Sequence, residues 1–355
     1  MNYIYKYLLL CLLFCLPLAA NSAESHPEGE FDVKELILDH LADSYDWHLL
    51  SVGDKHFSIP LPVIVKGQES GWNVFLSSRF HHGHDSYQGF SIASEGNYKG
   101  KIVEEVNGEI VRPWDFSITK NAASLILSSI VLLILILHCA KYYKERRNKP
   151  EEVSPKGFIA FVELTIMSVV DGVIKPCIGK NYKRYTSYLL TVFFFIIFNN
   201  LVGLIPVFPG GANVTGNIAI TFTLAMFTFV IVNMYGTKEY WREIFWPDVP
   251  IWMKAFPLMP AIELIGVFTK PFALMIRLFA NILAGHAMVL GLICIIFLTV
   301  RLGAGMNTGL SFIAIIMTIF IDCVELLVAY IQAYVFTMLS AVFIGLSQVE
   351  PHHVK

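Results

Sequence analysis

Hydrophobic positions fall along this chain in two regimes. From about residue 24 to 115 they come singly or in short alternating runs, and beyond that in unbroken stretches of about twenty residues or more, enough to cross a hydrocarbon core about 30 Å thick. The pattern predicts spans at about 117–139, 188–208, 218–235, 259–302 and 307–346. The last two, joined by a glycine-rich loop, hold about 40 residues each, or roughly 60 Å of helix. Kept inside the membrane, such helices tilt about 60° from the normal, where ordinary spans average about 20°. A hairpin that steep suggests packing against a curved partner. Residues 158–174 imitate a further span, but they hold Glu163 and Asp171, and crossing there would put Lys180, Lys183 and Arg184 outside. An amphipathic helix lying along the interface fits them better.

The N-terminal region reads differently. Residues 1–23 carry Lys6, an apolar run from Leu8 to Ala19 and then Ala20-Asn-Ser-Ala23, the pattern of a secretory signal peptide, with an uncleaved anchor as the alternative. Residues 24–115 then form an extracytoplasmic domain and 116–355 the membrane domain. Residues 31–41 suit a short amphipathic helix, followed by strands at His56-Phe-Ser-Ile, Trp72-Asn-Val-Phe-Leu and Gly100-Lys-Ile-Val, separated by Gly and Ser turns. The expected fold is therefore mostly α: a polytopic membrane protein with about five transmembrane helices, one interfacial amphipathic helix and two long tilted C-terminal helices, preceded by a small α+β or β-rich domain.

Composition agrees. Of 355 residues 55% are hydrophobic and only 15% charged, too apolar for a soluble globule, and the net charge of −2 gives no reason to expect a nucleic-acid partner. Lys141, Lys144, Arg146, Arg147 and Lys149 follow the first span, so the positive-inside rule puts that end in the cytoplasm, the N-terminal domain outside and the C-terminus inside. Lys238, Arg242 and Lys254, with Trp241, Trp246 and Trp252, mark the same interface again. The six cysteines give no disulfide framework, since none lies in the exported domain. His81-His82-Gly83-His84 invites a metal reading, but no cysteine or regularly spaced acid accompanies it, and a solvated loop is the more economical account. No nucleotide-binding loop is present and no cofactor is expected.

The residue that demands explanation is Arg277, inside the apolar stretch 271–286 with no acid within a helical turn. A mid-bilayer arginine costs roughly 2.5 to 3.5 kcal/mol on insertion scales, so it is a functional-site candidate unless it snorkels or forms a structural ion pair. Snorkelling is disfavoured by depth, since about 17 residues precede it from Pro260 and about 22 follow it to Thr299, roughly 25 and 33 Å of helix. At 100° per residue Ala273, Asn281 and Ala284 fall within about 40° of Arg277, while His286 points about 180° away. In the last helix Ala329 and Gln332 fall within about 40° of Glu325, with Asp322 about 60° to one side. Two carboxyls, a glutamine and a histidine thus make a candidate proton path, or else a structural hydrogen-bond network between helices.

The run Arg277-Leu-Phe-Ala-Asn281, with Ala284, Gly285 and His286, resembles the signature of subunit a of F-type ATP synthases, the membrane proton-channel stator, in a bacterial form with an enlarged exported N-terminal region. Glu263, Asn200-Leu-Val-Gly-Leu-Ile-Pro206, Glu325 and Gln332-Ala-Tyr-Val-Phe336 agree with it in order and spacing. The resemblance implies a non-catalytic subunit of the bacterial inner membrane, partnered by the c-ring, the subunit b stalk and, through the complex, the soluble ATPase sector. It implies that Arg277 faces the ring, with Asn281 and Gln332 beside it. His286, Glu325 and Asp322 would line the half-channel open to the periplasm, and Glu263 the one open to the cytoplasm. An ion-coupled secondary transporter is the alternative, but the internal repeats such proteins often show are missing. A membrane-anchored metal-binding or sensory protein rests on the histidine cluster alone.

Overall fold

The computed structural model describes residues 42–52, 55–68, 70–83, 85–93, 96–106, 108–146, 155–205, 212–246, 258–300 and 303–348. The expected signal peptide, the 31–41 helix, His84, Pro206 and the C-terminal tail lie outside them.

The N-terminal part is β-rich. Strands β1 (Asp46–Val52) and β2 (Lys55–Pro60) form an antiparallel pair. Strands β3 (Pro62–Lys66), β4 (Trp72–Leu76) and β8 (Trp114–Asp115) form a sheet in the order β4-β3-β8. A third sheet holds β5 (Phe90–Ile92), β6 (Ile102–Val106) and β7 (Glu109–Val111) in sequence order. The expected strand at Gly100-Lys-Ile-Val begins two residues later, because the Gly100 and Lys101 amides close a turn on Ala93 and Tyr98 instead of joining a ladder. Tyr45, Val63, Val65, Phe80, Phe90 and Ile102 pack into a small core. Burial, and then the hydrogen bond from its hydroxyl to Asp115 Oδ2 at 2.5 Å, push Tyr45 above the usual phenol range. The buried Glu104 carboxylate accepts from the Gln68 amide (2.7 Å), the Ser70 amide (3.3 Å) and Ser70 Oγ (2.7 Å), tying β6 to the β3–β4 turn.

No free linker separates this domain from the first long helix, α1 (Lys120–Arg146). The ladder continues as Phe116 N donates to Ile64 O and Ile118 N to Pro62 O. Lys120 N then donates to Ser44 O, and Asn121 N to Asp43 Oδ1 at 3.1 Å. Asp43 thus satisfies an amide that a helix N-terminus leaves unpaired. α1 runs past the expected end at Cys139 into the basic segment, ending at Arg146.

Helix α2 (Phe158–Val169) passes through a π turn (Val170–Ile174) into α3 (Lys175–Ile178), so the segment expected at 158–174 is helical and a few residues longer. Gly179, at φ 73°, turns the chain into α4 (Tyr182–Leu204). α5 (Ile218–Met234) follows, and after a 98° bend the short α6 (Lys238–Phe245), which buries Tyr240 and Ile244. The expected return span at 218–235 agrees with α5, while α4 begins six residues before the expected 188.

The last two elements are α7 (Leu258–Thr299) and α8 (Ala304–Ser347), of 42 and 44 residues. At 1.5 Å per residue they are about 63 and 66 Å long. The glycine-rich loop expected at 303–306 lies nearer the N-terminus: α7 ends at Thr299, Gly303, at φ 96°, makes the turn and Ala304 is already helical. Leu274, Leu278 and Ile282 of α7 join Leu189, Val192, Phe193 and Ile196 of α4 and Ala333, Phe336, Ala341 and Ile344 of α8 in the main core. Among the described residues four helices are long and apolar enough to cross a membrane, or five if the bent α5–α6 pair counts as one.

Candidate functional site

On α7 the buried stripe Leu274, Leu278 and Ile282 lies about 60 to 140° round the helix from Arg277, which places Arg277 on one flank and His286 on the other. Arg277 is exposed, and among the described residues it makes no hydrogen bond or ion pair. Its neighbours on that flank, Ala273, Ala280 and Ala284, are exposed and small. A cation thus stands on an open face of low relief, where a second helix has room to come close.

The other flank is closed. His286 Nδ1 lies 3.3 Å from Glu325 Oε1, and Glu325 is only 6% exposed. That oxygen, buried, has no hydrogen-bond partner among the described residues. Gly285 makes the approach possible, because a Cβ there would stand 2.8 Å from Glu325 Oε1. From α4, Gly203 leaves space beside the imidazole, an added Cβ falling 3.9 Å from His286 Nε2. One turn earlier Asn200 donates from Nδ2 to Ala329 O (3.3 Å) and accepts from Thr215 Oγ1 (2.7 Å), fixing α4 against α8. A histidine and a carboxyl, each able to hold or release a proton, therefore meet between three helices.

Asn281 and Gln332 join α7 to α8 directly, Asn281 Nδ2 donating to Gln332 Oε1 at 2.9 Å. Gln332 Nε2 is buried without a hydrogen-bond partner among the described residues. The two amides bond to each other, and among the described residues neither bonds to Arg277. Asp322 is exposed on α8, one turn before Glu325, and Glu263 is exposed in the second turn of α7. Neither reaches the His286–Glu325 pair by a hydrogen bond.

Lys270 stands just before the apolar stretch 271–286 and is a second cation on this helix. Seven residues before Arg277, it falls on the same face within about 20°. Its Nζ lies 5.9 Å from the Phe343 ring. An isolated basic residue in an apolar helix is the signal that would have found it. Among the described residues no three His, Cys, Asp or Glu side chains come together as metal ligands.

These features define a multi-pass membrane protein whose two longest helices carry an unpaired arginine on one flank and a histidine–carboxylate pair on the other. Comparison with known families places it further: the family model described as ATP synthase A chain matches residues 125–345. A curated relative named ATP synthase subunit a, from Chlorobium phaeobacteroides strain DSM 266, is 40% identical over 259 residues, 69% of this chain and 71% of that one. Subunit a 2 of Chlorobaculum tepidum is 41% identical over 246 residues (67% and 65%), and subunit a of Myxococcus xanthus 38% over 257 residues (70% and 79%). The chain belongs to the ATP synthase subunit a family. Residues 36–116 match a separate model, described as a domain of unknown function.

Proposed function

We propose that this chain is the non-catalytic proton-conducting stator of a rotary F-type ATP synthase in a bacterial inner membrane. The observation that carries the reading is the division of α7 into an open flank with an unpartnered Arg277 and a closed flank with the His286–Glu325 contact at 3.3 Å. A rotor carboxyl facing lipid keeps its proton, because desolvation disfavours the charged form, and beside a fixed guanidinium it gives that proton up. Arg277 itself cannot relay, since a guanidinium stays protonated in proteins. It ionises the rotor site and bars protons from passing straight between two access paths.

The path from the periplasm runs through His286 and Glu325 with Asp322 at its edge, and the path to the cytoplasm passes Glu263. Asn281 and Gln332 hold α7 and α8 in register next to Arg277. The c-ring packs against the open flank, subunit b holds the assembly still, and the soluble sector makes ATP. The basic end of α1 is cytoplasmic and the β-rich domain lies outside.

The test is Arg277→Lys. Lysine conserves charge but is a point donor that loses its proton readily when buried, and it lacks the planar five-donor fork. Vesicles carrying the assembled mutant complex, given a pH gradient, should make no ATP above background. Synthesis at the wild-type rate would reduce Arg277 to an interchangeable cation and remove the mechanism.

A further inference from the structure

The outer face of the β4-β3-β8 sheet is apolar and uncovered. Along β4 Trp72, Val74 and Leu76 alternate outward, and the register sets them opposite Lys66, Ile64 and Pro62 of β3, with Trp114 of β8 opposite Lys66 on its other side. Residues directly opposite in an antiparallel ladder share a face. Trp72 is 62% exposed, Val74 70% and Trp114 71%. Phe116, also exposed, stacks on Trp72 with ring centroids 5.8 Å apart, and Lys66 Nζ lies 5.7 Å from the Trp72 ring. The domain core is on the opposite face, at Val63 and Val65. The fold does not need this outer surface, and a contiguous exposed apolar face marks an interaction site.

Continuity identifies what covers it. Three residues separate Phe116 from Lys120, the first residue of α1; of these the Ile118 amide is bonded into the sheet, and the Lys120 amide itself is bonded onto Ser44. The sheet face therefore leads without a linker into a helix whose Ile126, Ile130, Leu133 and Leu137 are exposed along its apolar length. Two tryptophans and a phenylalanine beside a lysine, here the exposed Lys66, are the side chains that settle at a membrane–water interface, rings among the headgroups and the ammonium group in water. Asp115, the acid of β8, is turned the other way to accept from Tyr45.

We propose that this aromatic face rests in the headgroup layer of the leaflet from which α1 emerges, so that the domain is a membrane-seated platform. The proposal rests on α1 being a span, as the function above does. It also fixes an orientation. From Pro62 to Lys66 the strand rises about 13 Å, whereas the headgroup layer on one side is roughly 5 to 7 Å deep. The strands must then run close to parallel with the membrane plane.

Nitroxide labels at Val74→Cys, Glu105→Cys and Leu133→Cys, each in the assembled complex with its native cysteines replaced by alanine and reconstituted in proteoliposomes, test this. Collision with lipid-dissolved oxygen is compared with collision with a water-soluble nickel chelate. The label at 133 should favour oxygen and the label at 105, on an exposed position of β6, should favour nickel. Position 74 should favour oxygen several-fold more than position 105. Equal nickel access at 74 and 105 would put the face in water and overturn the proposal. Shielding of 74 from both reagents would put it under a protein partner, with the same result. Nickel access at 133 would instead remove the span, and with it the functional reading.

Discussion

His286 and Glu325 approach to 3.3 Å across the α7–α8 seam because Gly285, next to His286 on α7, has no side chain to occupy the space that the Glu325 carboxyl fills. A methyl at Gly285 would meet Glu325 Oε1 at 2.8 Å, Cδ at 3.0 Å and Cγ at 3.3 Å, so the whole carboxyl arm has to move while the backbone stays. Gly285→Ala should therefore assemble at normal levels yet lose proton-driven synthesis by about tenfold, a barrier change of about 1.4 kcal/mol. Assembly by native electrophoresis and synthesis in vesicles separate the two effects. A normal rate would show that the contact is not on the proton path.

Removing either partner tests the same contact more bluntly. His286→Ala and Glu325→Ala should each slow synthesis by about tenfold and leave the complex assembled, since water can replace one member of a relay. Loss of the complex at normal expression would instead make the pair a structural hydrogen-bond network.

The amide bridge at 2.9 Å between Asn281 and Gln332 makes a different kind of prediction. If its task is to hold α7 and α8 in register, Asn281→Ala and Gln332→Ala act on one interaction and should not add. The double variant should fall within about 0.5 kcal/mol of the worse single variant in synthesis rate. Fully additive losses would assign the two side chains separate tasks.

In the β-rich domain, Glu104→Ala leaves the Gln68 amide, the Ser70 amide and Ser70 Oγ without their acceptor. Gln68 and Ser70 are exposed, so water takes over part of the pairing, and each lost hydrogen bond costs about 0.5 to 1.5 kcal/mol. The domain should become sensitive to brief proteolysis while the membrane helices remain resistant. Wild-type resistance would mean that β6 is not held to the β3–β4 turn by this carboxylate.

The long apolar runs made the membrane elements legible, and the 100° rule put Glu325, Ala329 and Gln332 on one face, all of them buried. Which residue each one meets across the seam was beyond that rule, because it depends on the relative sliding of two helices. The β-rich domain was harder. β1 shifts register between His48 and Leu50, which breaks the alternation that identifies a strand. β3 opens on Pro62 two residues after Pro60, a pairing that argues against a strand unless the proline comes first, as it does here. β5, β7 and β8 are two or three residues long, too short to show a period. The two glycines at 303–306 place the loop there through low helix propensity, but only Gly303 adopts a conformation that needs a glycine, and the helix has resumed by Ala304.

The unpartnered Arg277 has a consequence for the life of the chain before it is assembled. If the proposed function holds, a newly made copy presents that guanidinium to lipid with no counter-charge among the described residues, a cost of roughly 2.5 to 3.5 kcal/mol that would end when the ring covers the flank. An orphan copy therefore carries its own mark of incompleteness, an exposed intramembrane charge that a membrane protease or insertion chaperone can read. Cells that make this chain without a ring subunit should clear it, and Arg277→Leu should lengthen its lifetime as an orphan while ending its usefulness in the complex.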